Sequence, residues 1–271
     1  MSVLQDAVAD CARRRVAQAP AVATIGKIVE PLDVASASDV KSTGIFILDR
    51  NLGGGLPSGS VVYLTGDPES MSEIFLHQFT QTRKTYYVVT GRKPQYVAQN
   101  IQSMGYDISE ITFIDIYSEY YLSAQGELVD NVGNEYVDNQ IIDFMIYNLQ
   151  NIETEDECSD VNILFDTFSF FLNLNVNVGQ IKKLMNVIYE TTKELDGMTY
   201  LYGLKNTHDR ALENEIINAC DVVFDIELLR NSDEIVSRLS IPKIRGMAPI
   251  TDMLKFKINE GIQIDTSTDI A

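Results

Sequence analysis

Between residues 61 and 204, short apolar runs rich in β-branched and aromatic residues alternate with segments of helical periodicity. VVYLT (61–65), YYVVT (86–90), ITFIDI (111–116), NILFDT (162–167) and MTYLYGL (198–204) read as strands. Helices are predicted after the first strand to about Arg83, over Gln95 to Met104, and in a stretch ending at Leu149. A further helix carries Ile181, Leu184, Met185 and Ile188 at helical spacing. Strands separated by helices need crossover connections, so the sheet is expected to be largely parallel, with helices on both faces. The last third differs: DVVFDIELL, SRLSIPKIR and LKFKI follow one another through short connections. That pattern predicts antiparallel strands at the C-terminal edge.

The flanks are less regular. Residues 1 to about 20 predict a helix with Leu4, Val8 and Cys11 on one face and Arg13 to Arg15 near its end. The stretch PLDVASASDVKST reads as a linker, which places an N-terminal helix and linker at 1–42 and one large domain at 43–271. A polar, tyrosine-rich segment from Tyr117 to Asn139 and an acidic loop, ETEDECSD, interrupt the alternation, and no internal repeat is visible.

Composition narrows the class. With 45% hydrophobic and 22% charged residues the chain can bury a substantial core. No apolar run approaches the roughly 18 residues of a membrane span; the longest, from Ile163 to Val178, is broken by Asp166, Asn173, Asn175 and Asn177. The N-terminus lacks a signal-peptide pattern, and the three cysteines (Cys11, Cys158, Cys220) have no metal-ligand spacing, so reduced thiols in a cytoplasmic protein are expected. A formal charge of −18 keeps the chain soluble and repels nucleic-acid phosphate at long range.

The segment STGIFILDRNLGGGLPSGSVVYLTG (42–66) resembles the start of a KaiC-like domain of the RecA-superfamily P-loop ATPases. The resemblance continues through PQYVAQNIQSMGYDI (94–108), NILFDTFSFF (162–171) at the Walker B position, and KIRG (243–246) with the KFKINEGIQI tail. KIRG and the ending are also similar to the KaiC-like subunit of the archaeal flagellar motor. The implied fold is a RecA-like α/β sandwich. By position the implied P-loop is Gly66-Asp67-Pro68-Glu69-Ser70-Met71-Ser72-Glu73.

A working P-loop needs glycine for close backbone approach, a lysine for the β/γ-phosphates and a Ser/Thr hydroxyl for Mg²⁺. Here Met71, Ser72 and Glu73 stand at those three positions. A carboxylate at Glu73 opposes phosphate by roughly 4 kcal/mol at about 4 Å and an effective dielectric near 20. A helix N-terminus offers an anion only about 0.3–2 kcal/mol. The repulsion wins, and Asp67 and Glu69 add to it if they face the loop. The family's water-activating glutamate precedes the proline that matches Pro94, and this chain has Gly91-Arg92-Lys93 there. No general base remains. Arg83, Arg92 and Lys93 are the nearby residues able to replace the lost charge.

Other positions keep two readings. Asp166 is either a water-mediated Mg²⁺ ligand or a strand-end cap. Lys243 and Arg245 are either trans-acting fingers toward a neighbouring subunit's nucleotide or a solvated strand face. His208 is a phosphate sensor or a surface-loop histidine. Tyr117, Tyr120, Tyr121 and Tyr136 form a docking surface or pack in part into the core. Three functions compete. The expected one is a KaiC-like pseudo-ATPase, without cofactor, metal or catalytic residue, acting through protein contacts as a homo-oligomer or with an active KaiC/RecA-like paralogue. The alternatives are a slow ATPase using ATP and Mg²⁺ in a rearranged loop, and a RecA/RadA-like DNA-repair accessory protein, against which the acidic balance counts.

Overall fold

A computed structural model describes residues 39–131, 133–154, 159–230, 235–259 and 261–265. In chain order, β1 (Val40–Lys41), α1 (Phe46–Asn51) and β2 (Leu56–Pro57) precede β3 (Ser60–Gly66), α2 (Glu73–Phe79), β4 (Thr85–Val89) and α3 (Pro94–Ser103). Then come β5 (Ile111–Asp115), α4 (Ile116–Tyr121), α5 (Glu135–Thr154), β6 (Asn162–Asp166), α6 (Ser169–Leu172) and α7 (Val178–Glu194). The last elements are β7 (Met198–Leu204), α8 (Arg210–Ala219), β8 (Val222–Arg230), β9 (Ile235–Ile244), β10 (Ile250–Asn259) and β11 (Gly261–Ile264).

Nine strands form one sheet in the order β11-β10-β9-β8-β3-β7-β6-β4-β5. From β8 to β5 every pairing is parallel, and from β8 outward to β11 every pairing is antiparallel. The alternating first part and the short-looped ending thus behave as the sequence predicts. The strand 61–65 lies at the centre. Asp166 ends the second strand from it, with β7 between, rather than the adjacent one.

Buried residues explain the layers. All residues of β3 and β6 are buried, as befits strands covered on both faces. Val62, Leu64, Tyr87, Tyr200 and Phe224 meet α1 to α3 on one face, where Phe79 of α2 stacks on Tyr200 with ring centroids 4.1 Å apart. Val61, Tyr63, Val88, Phe165 and Leu201 meet α4 to α8 on the other. Helix α7 turns Ile181, Leu184, Met185 and Ile188 inward and starts on Asn177, whose side chain accepts from Gly179 N at 2.7 Å.

Ahead of residue 43, β1 pairs antiparallel with β2. That pairing explains Gly55: at φ 146°, a Cβ there would lie 2.5 Å from the Lys41 carbonyl carbon. The tyrosine-rich segment opens with α4, which Asp115 caps by accepting from Ser118 N at 2.8 Å. The predicted N-terminal helix, with Leu4, Val8 and Cys11, and Cys158 of the acidic loop lie outside the described residues. Among the described residues no helix is long and apolar enough to cross a membrane.

Candidate functional site

The carboxyl ends of β3, β7, β6 and β4 meet above α2 and α3, where open α/β sheets place their ligand crevice. The β3–α2 loop holds itself closed. Ser70 N donates to Asp67 O at 2.9 Å, and the Ser70 hydroxyl donates to the same carbonyl at 2.6 Å. Ser70 and Ser72 are buried and share a hydrogen bond between their hydroxyls. Ser72 folds against Gly66, so a Cβ on that glycine would lie 2.8 Å from Ser72 Cβ. Two serine side chains therefore occupy the inside of the turn. Met71 takes a left-handed φ of 53° and is 52% exposed. Asp67 and Glu69 do not face the crevice alone: Asp67 Oδ2 accepts from Leu228 N at 3.3 Å, and Glu69 pairs with Arg230.

Across the crevice, Asp166 is 7% exposed. Arg92 Nη2 reaches its Oδ2 at 3.2 Å and the Tyr87 hydroxyl donates to the same oxygen at 3.3 Å. Burial raises the Asp166 carboxyl's pKa, and the Arg92 guanidinium pulls against that without cancelling it. Burial disfavours the charged guanidinium of Arg92 too, but Asp166 outweighs this and holds it protonated. Glu73 lies within electrostatic reach of Arg92, Tyr87 and Tyr202, so both sides of the crevice share one field. His77, one turn beyond Glu73 on α2, is 3% exposed, with neither ring nitrogen hydrogen-bonded. Burial, then the Arg92 charge, lowers its pKa to about 4.

Gly66, Ser70, Met71, Ser72, Glu73 and Asp166 are thus brought together, with Arg92 as the cation among them. Arg83 is elsewhere: it bonds Asp160 at 3.0 Å and Asn162 at 2.9 Å, at the amino-terminal edge of the sheet. Sequence reasoning missed the Arg92–Asp166 pair and His77. The available signals were a buried strand-end carboxylate needing a counter-charge, and a histidine on the apolar face of a short helix.

Lys243 and Arg245 lie at that same amino-terminal edge. Lys243 pairs with Val223, four residues short along β8 of the register that touches Glu227, so it sits about 13 Å along the strands from the crevice level. Its Nζ donates to Ile217 O at 2.8 Å and Asn218 O at 3.0 Å, two carbonyls of the last turn of α8. Arg245 reaches Asn218 O at 2.5 Å and Asp221 Oδ1 at 3.3 Å. Asp221 also accepts from Val61 N at 3.1 Å and Lys193 Nζ at 3.0 Å. Both cations therefore serve the negative end of α8 and a buried carboxylate within the same chain.

His208 is covered rather than exposed at its ring, with Nε2 2.9 Å from the Thr207 hydroxyl and Nδ1 3.8 Å from Glu213. Tyr120 packs edge-on to Phe144 at 5.6 Å and Tyr121 to Phe170 at 6.1 Å, Tyr117 lies beside Tyr121, and Tyr136 is exposed. Cys220 is a buried free thiol whose pKa burial pushes up to about 12. Among the described residues no group of three or more His, Cys, Asp or Glu could hold a metal.

Comparison with known proteins agrees with the fold. The KaiC-like protein PH0186 from the hyperthermophilic archaeon Pyrococcus horikoshii OT3 superposes with a TM-score of 0.63 at 16% identity, covering 84% of this chain and 100% of that one. The flagellar accessory protein FlaH from Methanocaldococcus jannaschii gives 0.60 at 16% identity, covering 82% and 96%. No curated protein matches the sequence. Sequence similarity to the family of unknown function DUF7125 spans residues 40–167 and 159–271. The fold is thus RecA-like, similar to that of KaiC-like proteins, and the chain belongs to DUF7125.

Proposed function

We propose that this protein is a KaiC-like pseudo-ATPase that works through protein contacts, as a regulatory, signalling or assembly subunit. The carrying observation is the Arg92–Asp166 ion pair. A tethered guanidinium neutralises the carboxylate that would otherwise attract Mg²⁺, and it comes from the loop where the resemblance calls for a water-activating glutamate. Ser70 and Ser72 fill the turn in which phosphate oxygens would lie, and Glu73 adds a negative charge beside it. Partners are proposed to be further copies of this chain or an active KaiC-like paralogue, and the charge of −18 weighs against nucleic acid. A role of Lys243 and Arg245 in trans would require both to give up the α8 carbonyls.

The test restores the missing parts. Met71→Gly, Ser72→Lys and Glu73→Thr together are expected to raise nucleotide affinity without producing ATP turnover, because no general base is regained. Hydrolysis by the purified wild type, abolished by a change at Asp166, would overturn the proposal.

A further inference from the structure

The crevice keeps the outline of an anion site but has the opposite charge. Arg230 at the rim is engaged with Glu69, and Arg92 inside is engaged with Asp166. Asp67 accepts from Leu228 N at 3.3 Å, and the Lys93 ammonium lies toward Gly126. Glu73 is left over. It is half-buried in the first turn of α2, makes no hydrogen bond or ion pair with any described residue, and has only the field of Arg92 to offset it. A solvated glutamate is ordinary, so this carboxylate alone marks no site. His77 supplies the second observation. It lies four residues along the same face of α2, and it feels the charge of Arg92, which leads into α3. The residue is 3% exposed and neither ring nitrogen has a partner. Burial, then the Arg92 charge, keeps the ring neutral at pH 7, so one nitrogen is a bare acceptor. Buried acceptors are rarely left unpaired without a reason. The buried rings of Tyr87 and Tyr202 stand beside Glu73.

We infer that the crevice receives a guanidinium group from another molecule, held by the Glu73 carboxylate at its mouth and the His77 imidazole at its floor. Glu73 accepts two parallel N–H bonds from the planar fork, and a remaining N–H faces His77. Residues four apart on a helix have Cβ atoms about 5–6 Å apart, which the fork spans and a compact, strongly hydrated ammonium does not. The tyrosine rings give the guanidinium plane an aromatic neighbour. Asp166, Glu73 and Arg92 together carry one net negative charge, and one bound cation neutralises it. The chain's own cations nearby do not serve: Arg92 is tied to Asp166, and Lys243 and Arg245 are tied to the end of α8. The inference rests on the pseudo-ATPase reading, because bound nucleotide would take the same space, and it names the class of ligand that replaces it. An arginine side chain of a partner protein and a free guanidino compound share this chemistry.

Calorimetric titration of the full chain at low salt tests it, with N-acetyl-L-arginine methylamide standing for a protein side chain and agmatine for a free compound. At least one probe is expected to bind with a dissociation constant of about 1 mM or tighter. Tighter binding of the capped arginine points to a protein partner, and tighter binding of agmatine to a small molecule; either supports the inference. The capped citrulline analogue, which has the same shape without the charge, should not bind. Glu73→Gln should weaken the better probe about 10- to 100-fold. His77→Leu should weaken it about 5-fold while leaving the protein no less stable in thermal melts, a combination that a merely structural histidine would not give. No saturable binding of either probe, equal binding of citrulline, or binding that Glu73→Gln leaves unchanged overturns the inference and leaves the pseudo-ATPase reading standing. Micromolar binding of Mg-ATP in the same titrations overturns that reading, and this inference with it.

Discussion

Replacing His77 by leucine should flatten part of the acid limb of the stability curve. The imidazole is 3% exposed, makes no hydrogen bond and feels the charge of Arg92. Burial and that charge lower its pKa from the ordinary 6.5 to about 4. A base with a depressed folded pKa contributes stability that is fully present above its unfolded pKa and is lost as pH falls through the folded one. The window is therefore pH 6.5 down to about 4. At about 1.4 kcal/mol per pH unit, that lowering is worth about 3 kcal/mol once both forms are protonated, and most of it is lost by pH 4. Near pH 7.5 leucine is expected to gain about 1 kcal/mol, because a buried unpaired N–H disappears. Urea unfolding across pH 4 to 8, followed by far-ultraviolet circular dichroism since the chain has no tryptophan, gives both curves. Carboxylate titrations common to both proteins cancel in the difference. The variant's advantage should grow by about 3 kcal/mol from pH 7.5 to 4. A difference that stays flat, or that shrinks as pH falls, contradicts the reasoning.

Three further outcomes follow from the same geometry. Arg92→Met should destabilise by about 3 kcal/mol by leaving Asp166 buried and unpaired, and adding Asp166→Asn should recover most of that loss in a double-mutant cycle by chemical denaturation. At position 71 the left-handed backbone predicts a stability order of Gly at or above Met, and Val below by more than about 1 kcal/mol, read from thermal melts. Lys243→Ala with Arg245→Ala should cost about 1–3 kcal/mol in the isolated chain, because the α8 carbonyls and Asp221 lose their cations.

What the sequence made legible was what local pattern controls. MTYLYGL is β7 residue for residue, and Ile181, Leu184, Met185 and Ile188 are the buried face of α7. The helix α4 escaped because IYSEYY has no apolar stripe, although the Asp115–Ser118 cap was present in the letters. Long-range pairings were not legible. Arg92 and Asp166 are 74 residues apart, and only the β4–β6 pairing brings them together. Lys243 lies in β9 but Arg245 follows it in the turn after Ile244, and the partners of both depend on where α8 ends in space. Ser72 read as a lost phosphate-binding lysine, whereas its hydrogen bond with Ser70 and its contact with Gly66 follow only from the turn's closure.

Calorimetric titration of the wild-type chain with Mg-ATP tests the central claim most directly. With Arg92 on Asp166, Glu73 beside the turn and Ser70 and Ser72 filling it, no saturable heat is expected at nucleotide concentrations up to about 1 mM, which corresponds to binding weaker than about −4 kcal/mol. Saturable binding in the micromolar range, weakened by Asp166→Asn, would contradict the account, because a nucleotide and its metal would then have displaced the guanidinium.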